Sequence, residues 1–126
     1  MPWRALADHT ATLMRRFAIT APGPTTAAAA LSGGNQQRLV IARELGHDID
    51  MLVADNPTRG LDLQASVFVH EQVREAASRG VAVVVHSSDV DEVLALATRV
   101  LVVFHGVVRE VERDRDVVGR AMLGAA

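Results

Sequence analysis

The sequence predicts an α/β fold with a mainly parallel sheet flanked by helices. In the second half of the chain, short apolar runs of the kind that form buried parallel strands alternate with segments of helical periodicity. The chain has 126 residues, of which 49% are hydrophobic. This is enough for one compact domain with a core, or for a piece of a larger domain.

The first fifty residues predict helices and a connector rather than strands. Residues 3–18 place apolar side chains at helical spacing, and residues 19–30, which contain two prolines and a glycine, predict a connecting loop. Ser32 is the predicted N-cap of a helix Gly33–Leu45, and Gly46 marks its end. Because no first strand is visible, we expect the second part of a domain.

The later residues alternate regularly between the two kinds of element. Asp62 is the predicted N-cap of a helix that ends before Gly80, and Gly106 lies in a turn that pairs the last two strands. The predicted strands are residues 51–55, 81–86, 100–104 and 107–111, and the predicted helices are residues 63–79, 89–97 and 115–123.

Composition excludes several kinds of chemistry. All thirteen basic residues are arginine, so the 126 residues contain no lysine and no complete GxxxxGK[ST] phosphate loop. The absence of cysteine excludes disulfides, thiolate metal sites and cysteine nucleophiles. A net charge of −2 indicates no nucleic-acid partner. With no apolar signal core or membrane-length run, we expect a cytoplasmic protein.

Residues 31–38 (LSGGNQQR), called the signature segment below, form the most specific motif. A small hydroxyl residue and two glycines stand at the start of a helix. The glycines let an anion approach the backbone closely, and the unpaired N–H groups of a helix N-terminus suit phosphate. A simple turn is the alternative explanation, and the motifs that follow decide against it.

About twenty residues later, residues 51–62 (MLVADNPTRGLD) resemble the Walker B strand and D-loop of ABC-transporter ATPases. Residues 81–89 resemble the switch strand of that family. LSGGNQQ together with PTRGLD resembles, in particular, the second nucleotide-binding half of tandem sugar- and nucleoside-type importer ATPases. The resemblance implies a partial P-loop NTPase (ABC ATPase) domain. Residues 1–30 would be the end of the helical subdomain with its connector, and residues 31–126 the C-terminal part of the ATPase core.

The resemblance also implies which residues bind nucleotide. In the family, the signature binds the γ-phosphate of ATP held by the opposite nucleotide-binding unit. The matching positions here are Ser32, Gly33 and Gly34, with Asn35 and Gln36 alongside.

Asp55 matches the Walker B aspartate, which helps to hold Mg²⁺ through water, and Asp62 is a D-loop candidate that helix capping explains equally well. Two positions depart from the family. Asn56 replaces the glutamate that polarises the attacking water, and the loss of a general base typically costs about 10²–10⁴-fold in rate. Ser88 stands at the position of the switch histidine, which leaves His86 a structural role.

No residue matches the Walker A loop or the Q-loop of the family. We therefore expect a truncated chain that is inactive as an ATPase alone and that offers its signature to a partner site. The implied cofactors are ATP and Mg²⁺. The implied partners are a second nucleotide-binding unit carrying Walker A and a membrane permease, at the inner face of the cell membrane.

Two alternatives have other functions. A non-catalytic interaction module or gene remnant would have no role in transport. An ATPase of DNA repair or chromosome maintenance also carries such a signature, but the QQ pair, PTRGLD and the lack of coiled-coil arms argue against it. The transported solute does not follow from these residues, because in this family the permease and a binding protein select it.

Overall fold

The structure is a computed structural model that describes residues 2–125. These residues form α1 (Trp3–Arg16), α2 (Gly33–Leu45), β1 (Met51–Asp55), α3 (Leu63–Ser78), β2 (Ala82–His86), α4 (Val90–Leu96), β3 (Val100–Phe104), β4 (Val107–Val111) and α5 (Arg115–Met122). Each predicted helix and strand is confirmed, with bounds that differ by at most two residues. The predicted connector, residues 19–30, holds one short 3₁₀ turn at Ala28–Ala30.

The described residues divide into two compact units. The first consists of residues 2–51 and 58–82, and the second of residues 52–57 and 83–125. This division does not test the boundary predicted at residue 30, which stays a prediction. Along residues 2–125, no helix combines the length and the apolar character needed to cross a membrane.

The first unit is a three-helix arrangement in which α2 packs against α1 and α3. At the end of α1, the backbone N–H of Ile19 donates to the Met14 carbonyl at 2.8 Å, which turns the chain back towards α2. This turn buries Phe17 completely and Ile19 almost completely. The remaining buried side chains of this unit come from α2 and α3: Ala42, Leu45, Ala65, Val69, Val73 and Ala76.

β1 and β2 pair in a two-stranded parallel sheet. The Ala82 N–H donates to the Asp50 carbonyl at one end, at 2.9 Å, and the Asn56 N–H donates to the His86 carbonyl at the other, at 2.7 Å. The two strands therefore run in the same direction. Their carboxyl ends lie side by side, which is where polar side chains collect in α/β folds.

β3 pairs with β4 in an antiparallel hairpin, as predicted, with Val100 opposite Val111 and Phe104 opposite Val107. The strands of residues 2–125 therefore belong to two two-stranded sheets, and the α/β class is confirmed. One face of the hairpin is covered by α4 and α5 around the buried residues Val100, Val102 and Val118.

The opposite face of the hairpin exposes apolar side chains, with Leu101 at 57% and Val103 at 68% of their full surface. Beside it, the Arg99 guanidinium donates to both oxygens of the Glu110 carboxylate at 2.9 and 2.7 Å. This hydrogen bonding lowers the pKa of Glu110 below its ordinary value. Because both groups are exposed, the ion pair adds little to stability.

We predict that α3 contributes to the stability of the protein mainly through its buried side. Val69→Ala removes two methyl groups from a side chain that is only 2% exposed, and Val67→Ala does the same at 48% exposure. Val69→Ala should therefore lower the free energy of unfolding by about 2 kcal/mol. The matched change at Val67 should stay within about 0.5 kcal/mol. Urea unfolding followed by circular dichroism measures both. Equal losses would contradict this packing of α3.

Candidate functional site

The signature segment lies in the first unit, where it begins α2. Ser32 has the extended backbone of an N-cap residue, and its carbonyl accepts the first helical hydrogen bond from the Gln36 N–H at 2.8 Å. Its side chain, however, accepts no hydrogen bond from a first-turn N–H. The prediction that Ser32 is the N-cap is confirmed for the backbone only, because the Ser32 hydroxyl is engaged elsewhere.

The Ser32 hydroxyl binds Asn35, whose side-chain Nδ2 donates to Ser32 Oγ at 3.1 Å. The other end of the same amide, Oδ1, accepts from the backbone N–H of Thr20 at 2.8 Å. The Gln36 side chain likewise donates to the carbonyl of Leu31 at 3.1 Å. Both amides that were predicted to lie alongside the phosphate-binding positions therefore bind their own chain in this structure.

Within residues 2–125, neither a close contact nor a positive φ requires glycine at positions 33 and 34. A Cβ added to Gly33 would meet no atom within 4 Å, and one added to Gly34 would touch the Ala65 Cβ at an ordinary 3.7 Å. Neither residue has a positive φ. The two glycines therefore leave open space at the N-terminus of α2 where an anion could approach the backbone.

Arg38 holds α2 against its neighbours. Its Nη1 donates to the carbonyl of Ala18 at 2.7 Å, and its guanidinium lies 4.5 Å from the centre of the Phe68 ring. These contacts join α2 to the chain just after α1 and to α3. Sequence reasoning assigned no role to Arg38, because its partners lie twenty and thirty residues away and no local pattern indicates them.

Asp62 is the N-cap of α3, also in the first unit. Its Oδ1 accepts from the backbone N–H of Ala65 at 2.8 Å. The capping explanation of this residue is therefore confirmed. Its role as a D-loop residue stays a prediction.

In the second unit, Asp55 ends β1 with a side chain that is 74% exposed. Its Oδ1 lies 2.6 Å from Nδ1 of His86, which ends β2, and accepts from Nδ2 of Asn56 at 2.8 Å. Sequence reasoning gave His86 a structural role and missed this contact. The signal was available, since the carboxyl ends of paired parallel strands meet at one edge.

Asn56 connects Asp55 to Ser88. Its Oδ1 accepts from the backbone N–H of Ser88 at 3.1 Å and from its hydroxyl at 3.4 Å. Asn56 has a φ of 44°, a left-handed conformation that asparagine adopts more readily than most residues. The structure thus brings together the residues that we call the Asp55 cluster: Asp55, Asn56, His86 and Ser88.

The Asp55 cluster could supply only some of the oxygen ligands that Mg²⁺ needs. Within residues 2–125, no group of three or more histidine, cysteine, aspartate or glutamate side chains could hold a metal. One exposed carboxylate next to a hydroxyl suits a hard cation that keeps several waters and takes further oxygens from phosphate. Asp55 would therefore hold the ion through water rather than within an all-protein cage.

Comparison with known proteins finds close similarity to import ATP-binding proteins, although no family model matches. The chain is 43% identical over 103 residues to the ribose import ATP-binding protein RbsA of Halalkalibacterium halodurans, covering 81% of this chain and 21% of that protein. It is 42% identical over 119 residues to the xylose import ATP-binding protein XylG of Burkholderia ambifaria, covering 94% and 23%.

A third relative is the nucleoside import ATP-binding protein NupA of Lactococcus lactis subsp. cremoris, 37% identical over 106 residues, which cover 84% of this chain and 21% of the relative. The chain thus spans only about a fifth of the length of the curated relatives it matches.

We predict that neutral His86 carries its proton on Nδ1. An ionised carboxylate only accepts hydrogen bonds, so the 2.6 Å contact with Asp55 requires Nδ1–H. Nitrogen-15 NMR of the purified chain at pH 8 should show this tautomer for His86. Asp55→Asn should reduce its population, while the signal of His9, which lies on α1, should not change. A His86 proton on Nε2 in the unsubstituted chain would contradict the contact.

Proposed function

Because this chain belongs to the family of ABC-importer ATP-binding proteins, we propose that it presents its signature segment to ATP held by a partner nucleotide-binding unit. The relatives are named for the import of ribose, xylose and nucleosides. We therefore propose a sugar or a nucleoside as the transported solute. The working location would be the inner face of the cell membrane, against a permease.

The observation that supports this proposal most directly is the pair of glycines at the start of α2. Glycine lowers helix stability relative to alanine, and neither Gly33 nor Gly34 is needed to avoid a clash or to adopt a positive φ. A phosphate that approaches the helix N-terminus gives both glycines a purpose. The same phosphate would accept hydrogen bonds from first-turn N–H groups that the Ser32 side chain leaves without a cap.

A second feature favours a supporting role. Asn56 carries an amide, which cannot take a proton from water at neutral pH. This residue suits the support of ATP hydrolysis at a partner site better than hydrolysis at a site of its own.

The Asp55 cluster has a narrower role in this proposal. Mg²⁺, when bound, would neutralise negative charge on the phosphates. Asp55 would hold a metal-bound water, while His86 and Asn56 fix the Asp55 carboxylate through hydrogen bonds to its Oδ1. Ser88 would orient the Asn56 amide but contribute no charge.

We predict that Gly33→Ala separates stability from function. With open space around position 33, alanine should raise the free energy of unfolding by about 0.4–1 kcal/mol. The new methyl group would occupy the path of the phosphate, so ATP hydrolysis by an importer assembled with this chain should fall about tenfold or more. A phosphate-release assay on the reconstituted importer measures the second effect.

Gly119→Ala is the matched control. Gly119 lies within α5 and also has no atom within 4 Å of an added Cβ. It should stabilise the chain similarly and leave hydrolysis unchanged. Unchanged hydrolysis with Gly33→Ala would contradict the proposed function and would favour a module without a role in transport.

A further inference from the structure

We propose that Asn35 is a positioning residue, which turns the Ser32 hydroxyl proton outward so that it can be donated to a phosphate oxygen. This inference rests on the proposed function, since it assumes that a phosphate approaches the signature segment. It assigns to Asn35 an indirect role, in place of the direct phosphate contact that its position in the motif suggests.

The orientation of the Asn35 amide follows from its partner on the backbone. The N–H of Thr20 can only donate, so the Asn35 atom that lies 2.8 Å from it must be the oxygen Oδ1. The nitrogen Nδ2 then faces Ser32 Oγ at 3.1 Å. A flipped amide would place two donors against each other at Thr20, which excludes the opposite assignment.

This orientation determines what the Ser32 hydroxyl can do. A hydroxyl has one proton to donate and two lone pairs that accept. Asn35 Nδ2 is a pure donor, so it uses one lone pair and cannot receive the Ser32 proton. Within residues 2–125, Ser32 Oγ makes no further hydrogen bond, and the residue is exposed. The proton is therefore available to an acceptor from outside the chain.

The backbone of Thr20, which binds Asn35, has a fixed position. The two residues before Thr20 are held in place. Ile19 is only 8% exposed, and the carbonyl of Ala18 accepts a hydrogen bond from Arg38 Nη1 at 2.7 Å. The start of the connector is thus bound to α2 at two points one turn apart on the helix. These contacts fix the position of the Asn35 side chain before any ligand binds.

Asn35→Asp tests the inference, because aspartate keeps the acceptor for the Thr20 N–H and loses the donor to Ser32. The aspartate carboxylate would accept the Ser32 proton and turn it inward. In an importer assembled with this chain, ATP turnover should fall about 10- to 100-fold, the effect of losing one hydrogen bond to a charged group. Ser32→Ala should lower turnover to a similar extent.

The double variant Ser32→Ala/Asn35→Asp separates positioning from charge. Without the Ser32 hydroxyl there is no proton for the aspartate to turn inward. ATP turnover of the double variant should therefore be no lower than that of Ser32→Ala alone. A further loss in the double variant would indicate repulsion between the new carboxylate and phosphate, and would overturn the inference. So would normal turnover with Asn35→Asp when Ser32→Ala is slow.

A measurement on the purified chain tests the hydrogen bond without ATP. Ser32→Ala should shift the side-chain amide NMR signal of Asn35, and unchanged chemical shifts would overturn the inference. If Ser32→Ala shifts this signal but leaves importer turnover unchanged, the failure lies with the proposed function, and the inference fails with it. Thermal unfolding of each variant checks that the fold is retained.

Discussion

The N-terminus of α2 is the feature on which the functional interpretation depends. A helix leaves its first N–H groups without intrahelical partners, and a serine at the N-cap ordinarily satisfies one of them. Here the Ser32 hydroxyl is held by Asn35 instead, and two glycines keep the surrounding space open. The helix therefore retains donors, a partial positive charge and room for an anion, and these three features suit the phosphate that we propose.

The second unit follows a different constraint, the parallel pairing of β1 with β2. This pairing places the last residues of the two strands side by side, so Asp55 meets His86 and Asn56 meets Ser88. Asn56 and Ser88, the two positions that we expect to depart from the family pattern, bind each other through hydrogen bonds. An amide and a hydroxyl in contact can orient a water or a metal-bound water, but neither is a base at neutral pH.

Local rules predicted most of the fold. Asp62 caps α3 through its carboxylate, and the hairpin turn contains Gly106 at a φ of 78°, both as expected from residue type. Strand pairing was harder to predict from the sequence, because it depends on contacts between residues that lie far apart along the chain. The sequence pattern indicated one mainly parallel sheet, whereas β3 pairs with β4 in a sheet separate from that of β1 and β2.

The candidate site shows the same limit at the level of side chains. Motif order predicted the signature residues and Asp55 as candidates, but it did not indicate the side chains and backbone groups that bind them. Asn35 binds Thr20 across fifteen residues, and His86 binds Asp55 across thirty-one. The capping rule for Ser32 held for its backbone and not for its hydroxyl, because a side chain three residues later competes for the same oxygen.

The most direct test of the central claim is whether this chain recognises ATP on another protein. The affinity of the purified chain for a nucleotide-binding unit that carries a GxxxxGK[ST] loop can be measured by surface plasmon resonance, with and without Mg-ATP. A hydrolysis-deficient partner keeps the nucleotide intact during the measurement. We predict binding at least about tenfold tighter with Mg-ATP, as expected for one charge-assisted hydrogen bond or more. Equal affinity in both conditions would contradict the claim.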